Sequence, residues 1–278
     1  MAKRTGLVDK SYVTGSPIPQ QTKSYTPIAH QFVIDTALNS LQNRGFVVTT
    51  EMYIANMNAQ VASGKYLLNY GDDPEMGMMF AWSNSYDKTM RFKCAIGAYN
   101  KNNMNAMVSA EMGNYNRIHK GSADTDTQNE ILNQVNNAEI YYSELMRDKE
   151  IMKTVAVDKK LCSELLGRIY MEHDLLTDEQ MAIVKNEFYK PTFDYGTTKD
   201  SLWTFYNHIL YSLQKSHPRD WMDQQTLVHW FICKEMNIMN KIVQATITEP
   251  VTQEPTNQLT IMDQLNEMGI EETINPES

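Results

Sequence analysis

The apolar positions change period along the first half of this chain, and each change marks an element. Thr26 offers a side-chain oxygen as a helix cap, and Pro27 suits the first helical position, where its missing N–H does no harm. Ile28, Phe32, Ala37, Leu38 and Leu41 then recur at helical spacing until Asn43-Arg44-Gly45 supplies a stop. After Gly45 the period falls to two, with Phe46, Val48, Met52 and Ile54 on one side and Thr49 and Glu51 on the other, which predicts a half-buried strand. Gly64–Tyr70 and Met76–Ser83 read as further strands around the turn-forming Gly71-Asp72-Asp73-Pro74. Arg91–Tyr99 and Ala106–Ala110 complete an expected antiparallel meander, which a packed helix makes viable as a core.

From Asp124 the pattern turns helical and stays so. Ile131, Leu132, Val135, Ala138, Tyr142, Leu145, Met146 and Met152 predict one long helix. Asp158 caps a second, Thr177 a third, and after the break at Pro191 a stripe of Leu202, Phe205, Tyr206, Ile209, Leu210 and Leu213 marks a fourth. Trp221 to Met239 supplies the last. Strands followed by helices give an α+β fold rather than an alternating one. The expected organisation is an extended arm over 1–25, a meander core over 26–122, a helical region packed on it over 123–242, and an acidic tail over 243–278. In that tail Ile261, Leu265 and Met268 share one face of a short amphipathic segment, which either folds back on the body or presents a motif to a partner groove.

Charge changes the picture, because it is unevenly placed. The formal net charge is −9, yet Ile242–Ser278 holds seven acidic residues and no Lys or Arg. Between Lys88 and Lys120 six cations, namely Lys88, Arg91, Lys93, Lys101, Arg117 and Lys120, face only Glu111. A near-neutral body thus carries a basic middle. Hydrophobic residues make up 42% and charged residues 21%, a globular composition. No stretch approaches the length of a membrane span, and Met1–Gly6 leads into no apolar signal core, so a soluble cytoplasmic protein without membrane partners is expected. Cys94, Cys162 and Cys233 are odd in number and widely spaced, which argues against a disulfide framework and for a reducing compartment. Nineteen methionines are read as core filling in preference to a ligand surface.

In the basic middle, Trp82-Ser83-Asn84-Ser85-Tyr86-Asp87-Lys88-Thr89, then Gly97 and Asn100, then Gly113-Asn114-Tyr115-Asn116-Arg117-Ile118-His119-Lys120-Gly121, resembles the DUF932 family of phage- and plasmid-borne proteins. That family places an Asn-Ser-x-Asp-x-Ser/Thr loop after a strand, an Asn turn after the next, and a basic Arg/His segment thereafter. The resemblance extends to Thr26-Pro27 and to Leu202-Trp203-Thr204-Phe205-Tyr206-Asn207, and departs at Tyr99, where many members have a Cys shortly before the Asn. It implies a bacteriophage or other mobile element as source, and a host bacterial cell as setting. It implies no activity.

The candidate chemistry lies in the same region. The loop Asn84, Ser85, Tyr86, Asp87, Lys88 and Thr89 can grip a phosphate or sugar through hydroxyl, amide and ammonium donors, and it is equally the composition of an ordinary turn. Strand alternation places Arg91, Lys93, Tyr99 and Lys101 on one face and Phe92, Cys94 and Ile96 on the other. Cations that follow phosphates beside rings that stack with bases suit single-stranded nucleic acid, and Tyr86, Tyr115, Arg117, His119 and Lys120 extend such a surface. A solvated sheet face has the same composition.

Enzyme signatures are weaker. The six histidines include no His-Glu-x-x-His, and no Walker loop, Gly-x-Gly-x-x-Gly or Gly-x-Ser-x-Gly occurs. His229 and Cys233 lie one helical turn apart, which can juxtapose two metal ligands but does not make a site. No catalytic residues, metal or cofactor are expected. The leading expectation is therefore a non-enzymatic binder of single-stranded nucleic acid, an accessory to replication or strand annealing. The alternative is a protein–protein module, a virion component or an inhibitor of host defence, with a phage or host partner on the acidic tail and self-association compatible with either.

Overall fold

A meander of antiparallel strands, each following its neighbour in sequence, fixes the frame on which the rest packs. The computed structural model describes residues 6–23, 25–108, 115–117 and 123–238. Six strands run in spatial order β1 (Gly6–Val8), β2 (Val48–Ala55), β3 (Val61–Leu68), β4 (Met76–Ser85), β5 (Phe92–Asn100) and β6 (Ala106–Met107). A seventh, β7 (Tyr115–Arg117), also pairs with β5. The helices are α1 (Lys10–Thr14) and α2 (His30–Asn43) before the meander proper, then α3 (Ala123–Asn136), α4 (Ala138–Thr154), α5 (Lys159–Met171), α6 (Asp178–Tyr189), α7 (Leu202–Leu213) and α8 (Trp221–Glu235). The α+β class read from the sequence is the observed one.

Local chemistry explains most boundaries. Asp73 Oδ1 accepts from the amides of Glu75 and Met76 at 2.9 and 2.8 Å, closing the turn that feeds β4. Asp158 accepts from Leu161 N at 2.7 Å at the start of α5, and Thr177 and Gln180 form a reciprocal capping box on α6. Other expectations need correction. The segment before Thr26, expected as an extended arm, contains β1 and α1. Helix α2 starts at His30, because Thr26 and Pro27 lie in the extended approach and Ala29 is the cap residue. The single helix expected through Met152 is two, parted at Asn137. The strand expected over Ala106–Ala110 ends at Met107.

One face of the sheet carries the main core. Tyr53, Tyr66, Phe80 and Trp82 pack with Val33, Ile34, Ala37 and Leu41 of α2 and with Leu202, Phe205 and Ile209 of α7. In β2 the core phase is therefore Tyr53 and Ala55, opposite to the expected Met52 and Ile54. Gly64 is required here: a Cβ would lie 2.3 Å from Trp82 Nε1, the atom that donates to Tyr66 Oη at 2.9 Å. The other face is small and apolar. Leu67, Met79, Ala81, Ala95 and Ala106 cluster with Trp221 and Met222 from the first turn of α8.

Candidate nucleic-acid interface

The loop that the sequence singled out divides into a structural half and an exposed half. Asn84 and Ser85 end β4 and are buried. Asn84 Nδ2 donates to Ile28 O at 2.8 Å and lies 3.0 Å from His30 Nδ1, while His30 Nε2 lies 2.9 Å from Ala59 O. Ser85 Oγ donates to Met90 O at 3.0 Å and accepts from Met90 N at 3.3 Å, which closes the loop on itself. The Tyr86 ring stacks on His30 with centroids 3.9 Å apart, and Tyr86 Oη accepts from His30 N at 2.8 Å. Burial, opposed by that hydrogen bond, pushes the Tyr86 phenol upward. Asn84 and Tyr86 tie the end of β4 to the entry of α2.

The exposed half is a tight turn. Asp87 Oδ1 accepts from Thr89 N at 3.0 Å and from Thr89 Oγ1 at 2.6 Å. Lys88 takes the left-handed conformation, φ 63°, at the apex, and its ammonium sits 4.7 Å above the Tyr25 ring. Arg91 is exposed, and among the described residues no carboxylate lies in ion-pair range of Lys88 or Arg91. Tyr25 itself is buried, and its phenol is pushed up to about 12 by burial and by the neighbouring Tyr86 and Asp87.

The expected cationic face of the next strand is not open to solvent, and this part of the expectation is corrected. Strand β5 is buried on both faces from Phe92 to Ala98. Lys93 forms an ion pair with Asp223, its side chain 8% exposed, because the first turn of α8 covers that face. Tyr99 is half-buried, with its ring over Gly77, where a Cβ would lie 2.5 Å from Tyr99 Cε1. Lys101 sits past the far end of the strand, donating to Asp73 O at 2.7 Å. Ten residues of extended chain put Lys101 about 33 Å from Arg91, so the two do not share a tract.

At the near end, by contrast, three segments meet. Strand β7 pairs Arg117 with Phe92, next to Arg91. Ser83 Oγ donates to Pro218 O at 3.2 Å, which brings in the turn before α8. That turn holds His217, pushed down first by burial, and Arg219, whose Nε–H donates to Asp220 Oδ1 at 2.9 Å; both feel the charge of Asp87. Tyr115 and Arg117 are placed in β7 by their backbone, whereas His119 and Lys120 lie outside the described residues, as does the acidic tail with Ile261, Leu265 and Met268. Arg219 and Tyr25 were missed by sequence reading. The sequence does contain one signal against an open face: Ala81, Ala95 and Gly97 are too small for a solvated strand face and match a surface against which Trp221 and Met222 pack.

Elsewhere among the described residues, one group of metal-ligating side chains converges, Asp148, His229 and Cys233. No helix of the described chain is long and apolar enough to cross a membrane. No protein-family model matches the chain, and no curated protein or solved structure is significantly similar to it.

Proposed function

We propose that this chain binds single-stranded nucleic acid without acting on it chemically, as an accessory to replication or strand annealing, and that it does so with the end of the sheet rather than its face. The observation that carries this reading is the exposure of Lys88 and Arg91 with no carboxylate in ion-pair range among the described residues, at the sheet end to which β7 brings Arg117. Exposed cations at a loop tip hold phosphates and release counterions. Because Tyr25 and Tyr86 are buried, phosphate contact outweighs base stacking in this reading, which predicts little sequence preference. Lys93 and Lys101 fall outside it. The likeness of residues 82–121 to DUF932 proteins supports a bacteriophage source and a host bacterial cytoplasm as the place of action.

Titration of a labelled single strand against the full chain tests the proposal. Three phosphate contacts predict a slope of log affinity on log salt of roughly −2. The double reversal Lys88→Glu/Arg91→Glu is expected to weaken binding at least tenfold at low salt. No measurable affinity at low salt, or a double variant that binds like the wild type, overturns it.

A second reading, a protein-docking module, is favoured by a separate observation. Leu7, Ile18 and Met57 are 76%, 57% and 60% exposed, more apolar surface than folding uses. Capture of a defined phage or host protein that survives nuclease and is lost on Leu7→Asp/Ile18→Asp supports this reading instead.

A further inference from the structure

We infer that Asp148, His229 and Cys233 form a binding site for a divalent first-row transition metal, with zinc the best fit, independent of the nucleic-acid reading above. Helix α8 supplies His229 and Cys233 one turn apart on a single buried side, and α4 supplies Asp148 opposite them. Asp148 Oδ2 lies 3.2 Å from His229 Nε2, and Cys233 Sγ lies 3.5 Å from the same nitrogen. All three ligand atoms fall within 4.8 Å of one another.

The convergence on one nitrogen is the decisive feature. A neutral or protonated imidazole nitrogen has one lone pair or one hydrogen to offer, so it satisfies either the carboxylate or the sulfur but not both. A metal ion at the centre satisfies all three. Bond lengths of about 2.0–2.2 Å to nitrogen and oxygen and about 2.3 Å to sulfur give tetrahedral edges of roughly 3.3 Å for N to O and roughly 3.6 Å for N to S. The observed 3.2 and 3.5 Å match those edges with the side chains where they stand.

The surroundings fit as well. Tyr206 Oη lies 2.9 Å from His229 Nδ1, so when Nε2 ligates a metal the Nδ1–H donates to the phenol oxygen, the usual outer support of a ligating histidine. Tyr206, on α7, is itself buried and fixes the ring plane. One thiolate and one carboxylate with a neutral imidazole carry two negative charges, which a divalent ion cancels in a site where His229 and Cys233 are 2% and 3% exposed. Sulfur, nitrogen and oxygen together select zinc-like ions over magnesium or calcium, which take oxygen alone. The Asp148 side chain, 14% exposed, leaves a route for the ion to enter. Three protein ligands leave the fourth position to water or another donor. Binding releases to solvent the thiol proton of Cys233 and, from the protonated imidazole, the proton on His229 Nε2. Helical spacing in the sequence offered two of these ligands; the third comes from a helix that only the fold brings near.

Cobalt(II) is the probe, added to the full chain after treatment with a chelator. One equivalent is expected to produce intense visible bands of tetrahedral cobalt and a near-ultraviolet thiolate-to-cobalt band, both bleached by added zinc. Cys233→Ser removes the thiolate band, whereas Cys94→Ser and Cys162→Ser retain it, and circular dichroism verifies each fold. Asp148→Asn weakens cobalt binding at least tenfold and, lying at the rim of the site, reads the same question should Cys233→Ser not fold. Wild-type protein that shows only the pale spectrum of hydrated cobalt overturns the inference, as does a thiolate band that survives Cys233→Ser.

Discussion

Lys93 and Asp223 form an ion pair that spans 130 positions of sequence and fastens strand β5 to the first turn of α8. The ammonium end is buried, while the carboxylate is 48% exposed and stays hydrated. That asymmetry sets what substitution does. Lys93→Met keeps the aliphatic stem and leaves Asp223 in water, so a stability change within about 1 kcal/mol is expected. Lys93→Glu buries a carboxylate against another and should cost about 3 kcal/mol or more. Urea denaturation measures both, and Lys93→Met should leave oligonucleotide affinity within twofold; a larger loss would restore Lys93 to the binding surface.

Asn84 separates structure from recognition in the loop that precedes Arg91. Its amide donates to Ile28 O and faces the His30 ring, so Asn84→Ala leaves a buried carbonyl unpaired and should cost about 2–3 kcal/mol. Nucleic-acid affinity, measured where the variant is fully folded, should not change by more than threefold. A variant of unaltered stability with lost binding would reverse these roles.

His208 gives the chain an acid limit. Burial pushes its imidazole down from 6.5 to about 4, with the charge of Glu187 acting in the other direction, and among the described residues its Nδ1 has no hydrogen-bond partner. The unfolded chain therefore takes up a proton near pH 6.5 that the folded chain refuses until about pH 4. Stability from this residue is complete above pH 6.5 and falls as pH drops through that window, by up to roughly 3 kcal/mol. The stability difference between wild type and His208→Gln should shrink by that order between pH 7 and pH 4. Parallel curves would show that His208 is not the responsible group.

Features governed by neighbours in sequence could be read before any fold was known. The caps at Asp158 and Thr177 and the Asp73 turn depend on contacts two or three residues away, and each stands as expected. The phase of β2 could not be read, because Met52 and Ile54 compete with Tyr53 and Ala55 and both sets are apolar. The break at Asn137 carries neither Pro nor Gly, and β7 is too short for a period to register. The same limit governs the site. Alternation along β5 gave the correct faces but could not reveal that Trp221 and Met222 cover one of them. Likewise His229 and Cys233 are neighbours on one helix, whereas Asp148 precedes His229 by 81 positions.

At the far margin of the sheet two short strands share one neighbour, β5. Strand β6 pairs with β5 at Ala98 and Tyr99, β7 pairs with it at Phe92 to Cys94, and in the interval Ile96 N donates to Gln134 Oε1 of α3 at 3.2 Å. Strand β1, among the described residues, has no strand beyond it. Both borders of the sheet thus end in strands of two or three residues, which offer a neighbouring chain few backbone groups to pair with. Growth of a filament by strand addition finds little template at either border, because so short a strand registers a newcomer through only two or three residues.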